Sequence, residues 1–359
     1  MDIKRLIEDF GGCSCGREHH ALIKAVEIGE GLLDRTADIL NAHGFPHDIL
    51  LVADNNTLNA SAGLTGALTA GGFKLKLRLF DDLRVADMAD VDALTELCGG
   101  GAGILSVGSG SLNDICRLAA LRADKRFAIF ATAPSMDGFA SDSAPITRGN
   151  FKISYPARCP EIIIGDTNIL AAAPAELKSA GFGDIIAKYI AIVDWKIAHH
   201  TSGEYYCEKV AALTKTALNR VVSMADRVAQ NDTNTAAAIM EALVMAGLAM
   251  SLAGCTRPAS GAEHIISHFW EIKKLEQGLL SDFHGKKVGV ASLLTADMYQ
   301  RLAGASDIDF HAETPDWDDI YRAYGTNFAD DLKKMNNPTV TAKTSPEVLS
   351  REWQKICGI

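Results

Sequence analysis

The first part of the chain alternates short runs of β-branched and apolar residues with longer amphipathic segments. This alternation is typical of a parallel β-sheet whose strands are joined by crossover helices. Helices are predicted at 55–72, which ends in a glycine pair, and at 113–125, which ends in basic residues. The predicted strands are 47–54, 73–80, 103–110, 126–134 and 161–166.

The pattern changes near residue 168. Beyond it the strand signal disappears, and long alanine- and leucine-rich segments with helical periodicity follow, which favours a helical bundle. We therefore predict an α/β nucleotide-binding domain over 1–168 and an all-helical domain over 169–359. No Pro-, Ser- or Gly-rich linker separates them, so we expect the two domains to pack directly and share a cleft. The C-terminal 50 residues, which contain the segment 335–348, match no site motif and are assigned to a helical cap with a loop.

Charge and apolar content narrow the kind of partner. The 359 residues include 35 basic and 45 acidic side chains, a formal net charge of −10. This balance argues against a nucleic-acid-binding surface, which needs clustered basic side chains, so a small molecule is the expected partner. The most apolar run, 236–255, is interrupted by Glu241 and rich in small residues, so we expect a buried helix there and no membrane span.

The cysteines and the N-terminus indicate the compartment. Eight cysteines in a chain of this length, with no continuous apolar stretch in residues 1–20, predict reduced thiols and a cytoplasmic protein. The segment CSCGREHH (13–20) holds two thiols and two imidazoles. Because it lacks a second pair at zinc-site spacing, we interpret it as a solvated N-terminal segment.

The first candidate site is the glycine-rich segment 99–114, which combines a strand, Gly108 and Gly110, and the start of a helix. Glycines allow backbone N–H groups to approach a pyrophosphate, and a helix N-terminus favours its negative charge. The usual dinucleotide fingerprint has a third glycine where this chain has Asn113. Asp114 is interpreted as a helix-capping carboxylate.

Two more polar positions follow predicted strands. Asp54 ends the first predicted strand, where a carboxylate can accept hydrogen bonds from a ribose diol and repel a 2′-phosphate; the alternative is an ordinary turn aspartate. The segment 132–144 combines small hydroxyl residues with Asp137 and Asp142 after a buried strand. Ligands bind at the carboxyl ends of such strands, so this loop is a second candidate wall of the site.

The histidine-rich segment GAEHIISHFW is the strongest candidate by chemistry. His264 and His268 are four residues apart and share one helical face, His284 lies beside a glycine, and Asp184 is predicted to open a helix with Lys188 on its face. Two imidazoles and one carboxylate with open positions form a catalytic site for Zn²⁺ or a similar ion. The alternatives are an ordinary helical histidine pair and an N-cap aspartate.

These motifs together resemble the sn-glycerol-1-phosphate dehydrogenase family, whose superfamily includes iron-type alcohol dehydrogenases, glycerol dehydrogenase and dehydroquinate synthase. The resemblance spans about residues 50 to 290. It implies a Rossmann-like N-terminal half and an all-α C-terminal half, the dehydroquinate synthase-like fold. The motifs, in order, are VADNNT, GSGSLND, TAPSMDGFASDSAP, GFGDIIAKY, GAEHIISHFW and the later HG.

The resemblance also implies a role for each matching residue. It places the metal ligands on Asp184, His264 and His284, and the substrate contacts on Asp137, Asp184 and His268. It places the dinucleotide contacts on Asp54, Gly108, Ser109, Gly110, Ser111, Leu112, Thr132, Ala133, Pro134, Ser135 and Ser141. Asp137, His268 and Lys188 are the expected catalytic residues, with His268 holding a substrate phosphate and Lys188 as a second cation. Ser111, Leu112 and Pro134 depart from the commoner family pattern.

The implied reaction is the reversible reduction of dihydroxyacetone phosphate to sn-glycerol 1-phosphate with NAD(H) or NADP(H). One divalent metal is expected, with Zn²⁺ as first choice and Ni²⁺ or Fe²⁺ as alternatives, and a homodimer or larger assembly is compatible with the resemblance. Three alternatives stay open: a glycerol dehydrogenase for unphosphorylated substrates, a dehydroquinate synthase-like enzyme, and a non-catalytic nucleotide-binding protein. The dehydroquinate synthases have Glu where Asp184 stands, and the intact ligand trio argues against lost catalysis.

Overall fold

The computed structural model describes residues 1, 3–149, 151–306, 308–325, 330, 333–334 and 344–359. Residues 335–343 of the expected C-terminal cap lie outside this part. Residues Pro346–Cys357 of the cap form a helix.

A six-stranded parallel sheet forms the centre of the first half, with strand order β1-β8-β5-β4-β2-β3. Its inner strands are buried because each is a near-continuous apolar run covered by helices on both faces. This confirms the predicted parallel sheet and its five strands. β1 was not predicted. The strands are β1 (Ala25–Gly29), β2 (Asp48–Asp54), β3 (Lys74–Phe80), β4 (Gly103–Gly108), β5 (Phe127–Ala131) and β8 (Ile162–Asp166).

Apart from α1, which precedes β1, the helices of this half connect consecutive strands. The predicted helix 55–72 is two helices, because Gly63 has a φ of 101° that only glycine adopts readily, and the chain turns there. The predicted helix 113–125 begins three residues earlier, directly after the glycine turn. The helices are α1 (Ile3–Glu8), α2 (Leu32–Ala42), α3 (Asn55–Ala60), α4 (Leu64–Ala70), α5 (Met88–Leu97) and α6 (Gly110–Arg122).

A two-stranded antiparallel hairpin, absent from the sequence prediction, interrupts the α/β pattern before β8. It consists of β6 (Ser143–Arg148) and β7 (Phe151–Pro156). Its strands mix polar and apolar residues, so neither produces a clean apolar run. The hairpin follows the 132–144 segment and carries Lys152 toward the helical half.

The second half contains helices only, among its described residues, as predicted. The long helix α11 passes the length and hydropathy test for a membrane span, but 78% of its most apolar window is buried inside the protein. The helices are α7 (Thr167–Ala172), α8 (Ala175–Ile186), α9 (Lys188–Ser202), α10 (Glu208–Val222), α11 (Thr233–Ala253), α12 (Ala262–Glu276), α13 (His284–Ala303), α14 (Trp317–Tyr324) and α15 (Pro346–Cys357).

Two helices approach unusually closely at glycines. A Cβ on Gly285 of α13 would overlap the carbonyl oxygen of Ala180 on α8, and a Cβ on Gly181 would overlap the carbonyl oxygen of Pro134. Only glycine allows these backbones to come so close. The close packing brings Asp184 on α8 next to His284 at the start of α13, and it seats α8 against the loop after β5.

Candidate active site

A cleft of about 1010 Å³ runs between the carboxyl ends of the sheet strands and the helical half. Because β2, β4, β5 and β8 are parallel, the loops that follow them meet at one edge of the sheet. The helical wall includes α12 and the start of α13. The sequence-predicted residues that line the cleft are Asp54, Ser109, Gly110, Ser111, Leu112, Thr132, Ala133, Ser135, Asp137, Ser141, His264, His268 and His284.

The glycine turn after β4 points the start of α6 into this cleft. Asn113, at the position of the missing third glycine, is buried, and its Oδ1 accepts a hydrogen bond from Ser106 Oγ at 2.7 Å. Asp114 is not the helix cap that the sequence suggested, since Ser109 is the N-cap residue. Asp114 instead lies inside the helix, 3.7 Å from the Arg117 guanidinium, and lines the cleft. Burial raises the pKa of Asp114 to about 6, despite the opposing charge of Arg117.

Asp54 lies at the end of β2 and is the N-cap residue of α3. Its local role is therefore that of the ordinary turn aspartate given above as the alternative. Its Oδ1 accepts the Thr57 backbone N–H at 2.8 Å, and the Thr57 hydroxyl and the Asp54 backbone complete a capping box. Its Oδ2 accepts a weaker hydrogen bond from the Leu83 backbone N–H at 3.4 Å. Asp54 still lines the cleft.

The buried side chain of Arg117, which was not among the sequence-predicted site residues, fixes the loop after β5. The Arg117 guanidinium donates to the backbone oxygens of Ser141 at 2.9 Å, Ser143 at 3.1 Å and Gly138. This ties the loop to α6. Pro134 does not line the cleft, because its carbonyl faces α8 at Gly181. A signal existed in the sequence: Arg117 is the one basic residue in the apolar run ICRLAAL.

Asp184, His264 and His284 converge on one point at the inner end of the cleft. One ligand atom from each lies within 4.8 Å of the others, and His264 Nε2 is 3.8 Å from Asp184 Oδ1. Asp184 does not open a helix as expected; it lies near the end of α8 and is fully buried. His264 and His284 have ring centroids 5.2 Å apart. The structure thus brings the three expected ligands together.

Neighbouring groups orient these ligands. Glu263 Oε1 accepts a hydrogen bond from His264 Nδ1 at 2.7 Å and another from the Gly261 backbone N–H at 2.9 Å. This leaves His264 Nε2 to face Asp184. The buried Nδ1 of His284 has no hydrogen-bond partner among the described residues, which is costly unless another group binds it. A divalent cation between the three side chains fits this donor set.

Lys188 lies elsewhere than expected and does not line the cleft. It is fully buried and bridges two carboxylates, with Nζ 2.5 Å from Asp137 Oδ2 and 2.8 Å from Asp184 Oδ1. It is therefore not placed to bind a substrate phosphate, which corrects its expected role as a second phosphate cation. Burial and the nearby Asp184 raise the pKa of Asp137, with Lys188 opposing them.

A cluster of two lysines and Glu271, called the basic corner here, lies beside His268. Lys152 Nζ lies 2.9 Å from Glu271 Oε1, and Lys287 Nζ lies 3.4 Å from Glu271 Oε2. Lys152, Glu271 and His268 all line the cleft. Burial alone would raise the pKa of Glu271, but the two lysines lower it to about 2. Burial, aided by Lys152, lowers the pKa of His268 to about 4, so its imidazole is neutral near pH 7.

The N-terminal segment differs from the solvated stretch expected for CSCGREHH. His19 is buried, and Cys13 and Cys15 are half-buried. They meet Cys207, a residue of the helical half, at a point outside the cleft lining. No local motif joins the four residues, because Cys207 is 188 positions beyond His19. All eight cysteines are free thiols, as predicted.

Comparison with known proteins identifies the fold. The family model for iron-containing alcohol dehydrogenase matches residues 27–174. Glycerol dehydrogenase from Schizosaccharomyces pombe superposes with a TM-score of 0.65 at 16% identity, covering 94% of this chain and 89% of that one. An iron-containing alcohol dehydrogenase from Thermococcus thioreducens gives 0.63 at 15% identity, with 95% and 86% covered. The fold is therefore that of the iron-containing alcohol dehydrogenases.

Sequence relatives define the group more narrowly. A glycerol-1-phosphate dehydrogenase [NAD(P)+] from Halalkalibacterium halodurans is 34% identical, covering 84% of this chain and 77% of that protein. The enzyme of the same name from Aeropyrum pernix is 32% identical, covering 77% and 78%. The chain belongs to the glycerol-1-phosphate dehydrogenase family, and the resemblance stated from its motifs is confirmed.

Proposed function

We propose that this protein catalyses the reversible reduction of dihydroxyacetone phosphate to sn-glycerol 1-phosphate with NADH or NADPH. The observation that carries the proposal is the position of the Lys152–Glu271–His268 corner directly beside the Asp184–His264–His284 trio. The ring centroids of His268 and His284 are only 5.7 Å apart. A ketone held at the trio can therefore extend its phosphate toward Lys152. The product configuration in this proposal follows the name of the relatives.

Asp184, His264 and His284 would hold one divalent ion, with Zn²⁺ as first choice because two imidazoles and one carboxylate suit it, and Ni²⁺ or Fe²⁺ as alternatives. Such an ion acts as a Lewis acid toward a ketone carbonyl. The chain's own contribution is orientation: Glu263 fixes His264, and Lys188 neutralises part of the buried carboxylate charge of Asp184 and Asp137. Asp137, which lines the cleft, is proposed to contact the substrate.

The substrate phosphate is proposed to bind Lys152 and His268. Lys152 supplies charge, since Glu271, its one carboxylate partner among the residues that the structure describes, is shared with Lys287. Neutral His268 supplies a ring N–H that can donate to a phosphate oxygen. This corner favours a phosphorylated substrate over free dihydroxyacetone, because the free ketone has no phosphate to pair with the positive charge of Lys152.

The cofactor is proposed to bind along the sheet edge. The turn at Gly108 to Leu112 and the N-terminus of α6 offer backbone N–H groups to a pyrophosphate. Thr132 to Ser135 and Ser141 form the neighbouring wall, and Asp54 accepts from the ribose diol. Because the Asp54 carboxylate would repel a 2′-phosphate, we expect NAD to bind at least as well as NADP.

The proposal extends to organisation and location. We place the boundary between the cofactor-binding and the metal-binding domains at residue 168, since the last described strand of the sheet ends at Asp166 and the described elements after it are helices. Eight free thiols support a reducing, cytoplasmic location. A homodimer or larger homo-oligomer is part of the same proposal and rests on the resemblance.

The test is a metal and cofactor panel. Purified protein loaded with Zn²⁺ or Ni²⁺ should oxidise NADH or NADPH when dihydroxyacetone phosphate is added, and chelation should abolish this rate. The product should be glycerol phosphate by mass spectrometry. A rate that survives complete metal removal, or a tighter titration with NADPH than with NADH, would contradict the metal or the Asp54 part of the proposal respectively.

A further inference from the structure

A second cluster of potential metal ligands lies outside the cleft. Cys13, Cys15, His19 and Cys207 each place one ligand atom within 4.8 Å of the other three. None of the four lines the cleft, and none belongs to the Asp184 trio. Three of them come from one short N-terminal segment, and the fourth immediately precedes α10 of the helical half.

Three distances within the cluster are close to those of a tetrahedral site, and the others are below 4.8 Å. Cys13 Sγ and Cys207 Sγ are 3.7 Å apart. Two thiolates on one zinc, each at about 2.3 Å, are separated by about 3.8 Å in a tetrahedron, whereas a disulfide requires about 2.05 Å. His19 Nε2 lies 3.2 Å from Cys15 Sγ and 3.8 Å from Cys207 Sγ. The four groups therefore surround one point without a bond between any pair.

The histidine is oriented toward the thiols by its other ring nitrogen. His19 Nδ1 lies 2.7 Å from the carbonyl oxygen of Leu252 on α11, which favours a proton on Nδ1 and a lone pair on Nε2. Metal-bound histidines usually have such an outer partner. The Phe10 ring packs edge-on against His19 at 5.0 Å and helps to exclude water. His19 and Cys207 are buried, so the site is closed on the protein side.

We propose that Cys13, Cys15, His19 and Cys207 bind a structural zinc ion, independent of the proposed catalytic metal. Three thiols and one imidazole are the soft ligand set that selects zinc, and four protein ligands leave no open position for chemistry. Binding deprotonates the three thiols and releases three protons, so the site carries one net negative charge.

The ion would fasten the N-terminal segment to the helical half. Cys13 and Cys207 are 194 positions apart, and Leu252 brings α11 into the same contact. The N-terminal segment is also connected to the sheet, since the Met1 amino group donates to the Val26 carbonyl oxygen of β1. The site therefore holds together parts of both halves. Its loss should lower the thermal stability of the protein and have a smaller effect on the reaction rate in the cleft.

The first experiment separates the two metals by elemental analysis of purified protein. His264→Ala should remove the metal of the cleft and keep one zinc ion per chain. Adding Cys207→Ser to that variant should remove the remaining ion, whereas the matched control, adding Cys98→Ser, should keep it. Equal zinc content in the Cys207→Ser and Cys98→Ser double variants would overturn the proposal. Because the count starts from a variant without the cleft metal, it does not depend on the proposed function.

The second experiment uses folded protein in which cobalt replaces zinc. The intact site should show a strong thiolate-to-cobalt charge-transfer absorption in the near ultraviolet. His19→Cys, which keeps four ligands, should retain and strengthen this band, and His19→Ala should weaken it and lower the cobalt affinity. A cobalt-loaded wild type without the band would overturn the proposal. So would a Cys13–Cys207 disulfide in the purified protein, seen by mass spectrometry under non-reducing conditions.

Discussion

Glu263 accepts a hydrogen bond from Nδ1 of His264 at 2.7 Å, although the two residues are neighbours in sequence on a buried turn of helix. The contact determines which nitrogen of His264 carries the proton, and it turns Nε2 toward Asp184 Oδ1, 3.8 Å away. Glu263 is fully buried, so the energy of placing its charge there is offset by His264 and the Gly261 backbone N–H. The Glu263–His264 pair thus orients the Nε2 lone pair of His264 toward the point where a cation would bind.

Glu263→Gln is therefore expected to weaken metal binding in the cleft by about 10- to 100-fold, since the outer carboxylate would no longer polarise His264. Competition with a chromogenic chelator measures the metal affinity directly. Glu276→Gln, on the exposed end of the same helix, serves as the control and should leave the affinity unchanged. An unaltered affinity in Glu263→Gln would show that this contact has no role in metal binding.

Lys152→Ala is expected to raise KM for dihydroxyacetone phosphate by about tenfold or more, the loss of a charge-assisted hydrogen bond worth about 1.5–3 kcal/mol. The same variant should act on unphosphorylated dihydroxyacetone as the wild type does, because that substrate has no phosphate to lose. Steady-state kinetics with both ketones checks this.

Lys273→Ala is the matched control, since Lys273 lies on α12 near the corner but pairs with Glu276 at the surface. It should change neither KM. If Lys152→Ala impaired both ketones equally, Lys152 would have a structural role instead of binding phosphate.

Gly181→Ala tests the close packing that brings Asp184 to His284. The added methyl would overlap the Pro134 carbonyl and push α8 from the loop after β5, so the free energy of unfolding should fall by about 1–3 kcal/mol. Gly66→Ala on α4 is the control, because no atom lies within 4 Å of its added Cβ. That change should raise stability by about 0.5–1 kcal/mol. Urea unfolding gives both values, and a neutral Gly181→Ala would refute the packing argument.

Asp114 should make stability depend on pH. Burial raises its folded-state pKa to about 6 from the ordinary aspartate value of 3.8, so the folded protein binds the proton more tightly than the unfolded chain does. This contribution is fully present below the unfolded pKa and is lost as pH rises through about 6. Asp114→Asn should remove it. Relative to wild type, the variant should therefore gain about 2.5 kcal/mol in unfolding free energy between about pH 4 and about pH 8.

Urea unfolding of the metal-free protein at several pH values measures this difference. Asp92→Asn, which changes an exposed carboxylate on α5, is the control and should run parallel to wild type across the range. Parallel curves for Asp114→Asn and wild type would mean that Asp114 titrates normally.

Much of the fold followed from the hydrophobic pattern, and the failures have physical reasons. Four of the five predicted strands, β2, β4, β5 and β8, are apolar runs buried on both faces, so their pattern is strong. The fifth, β3, is an edge strand that alternates apolar and basic residues, which is also a clear strand pattern. β1 is short and includes Glu27, and the β6–β7 hairpin is partly polar, so neither stood out. Because the hairpin was missed, Lys152 had no predicted position, and the role of phosphate cation fell to Lys188 instead.

The site residues show a similar division. The resemblance named the Asp184 trio, but only packing shows how it forms, through glycines that let α8 and α13 meet. The local motif around Cys13 contained three of four members of its cluster and still suggested a solvated segment. Cys207 joins it only through the tertiary fold, and no spacing rule reaches across 194 positions.

The central claim is that this protein reduces a phosphorylated ketone. The most direct test compares kcat/KM for dihydroxyacetone phosphate and for dihydroxyacetone, on metal-loaded wild-type enzyme with saturating NADH followed by absorbance. The phosphorylated ketone should be preferred by at least about tenfold, which is the contribution of a single charge-assisted contact. Equal values for the two ketones, or a preference for the unphosphorylated one, would contradict it and favour a glycerol dehydrogenase.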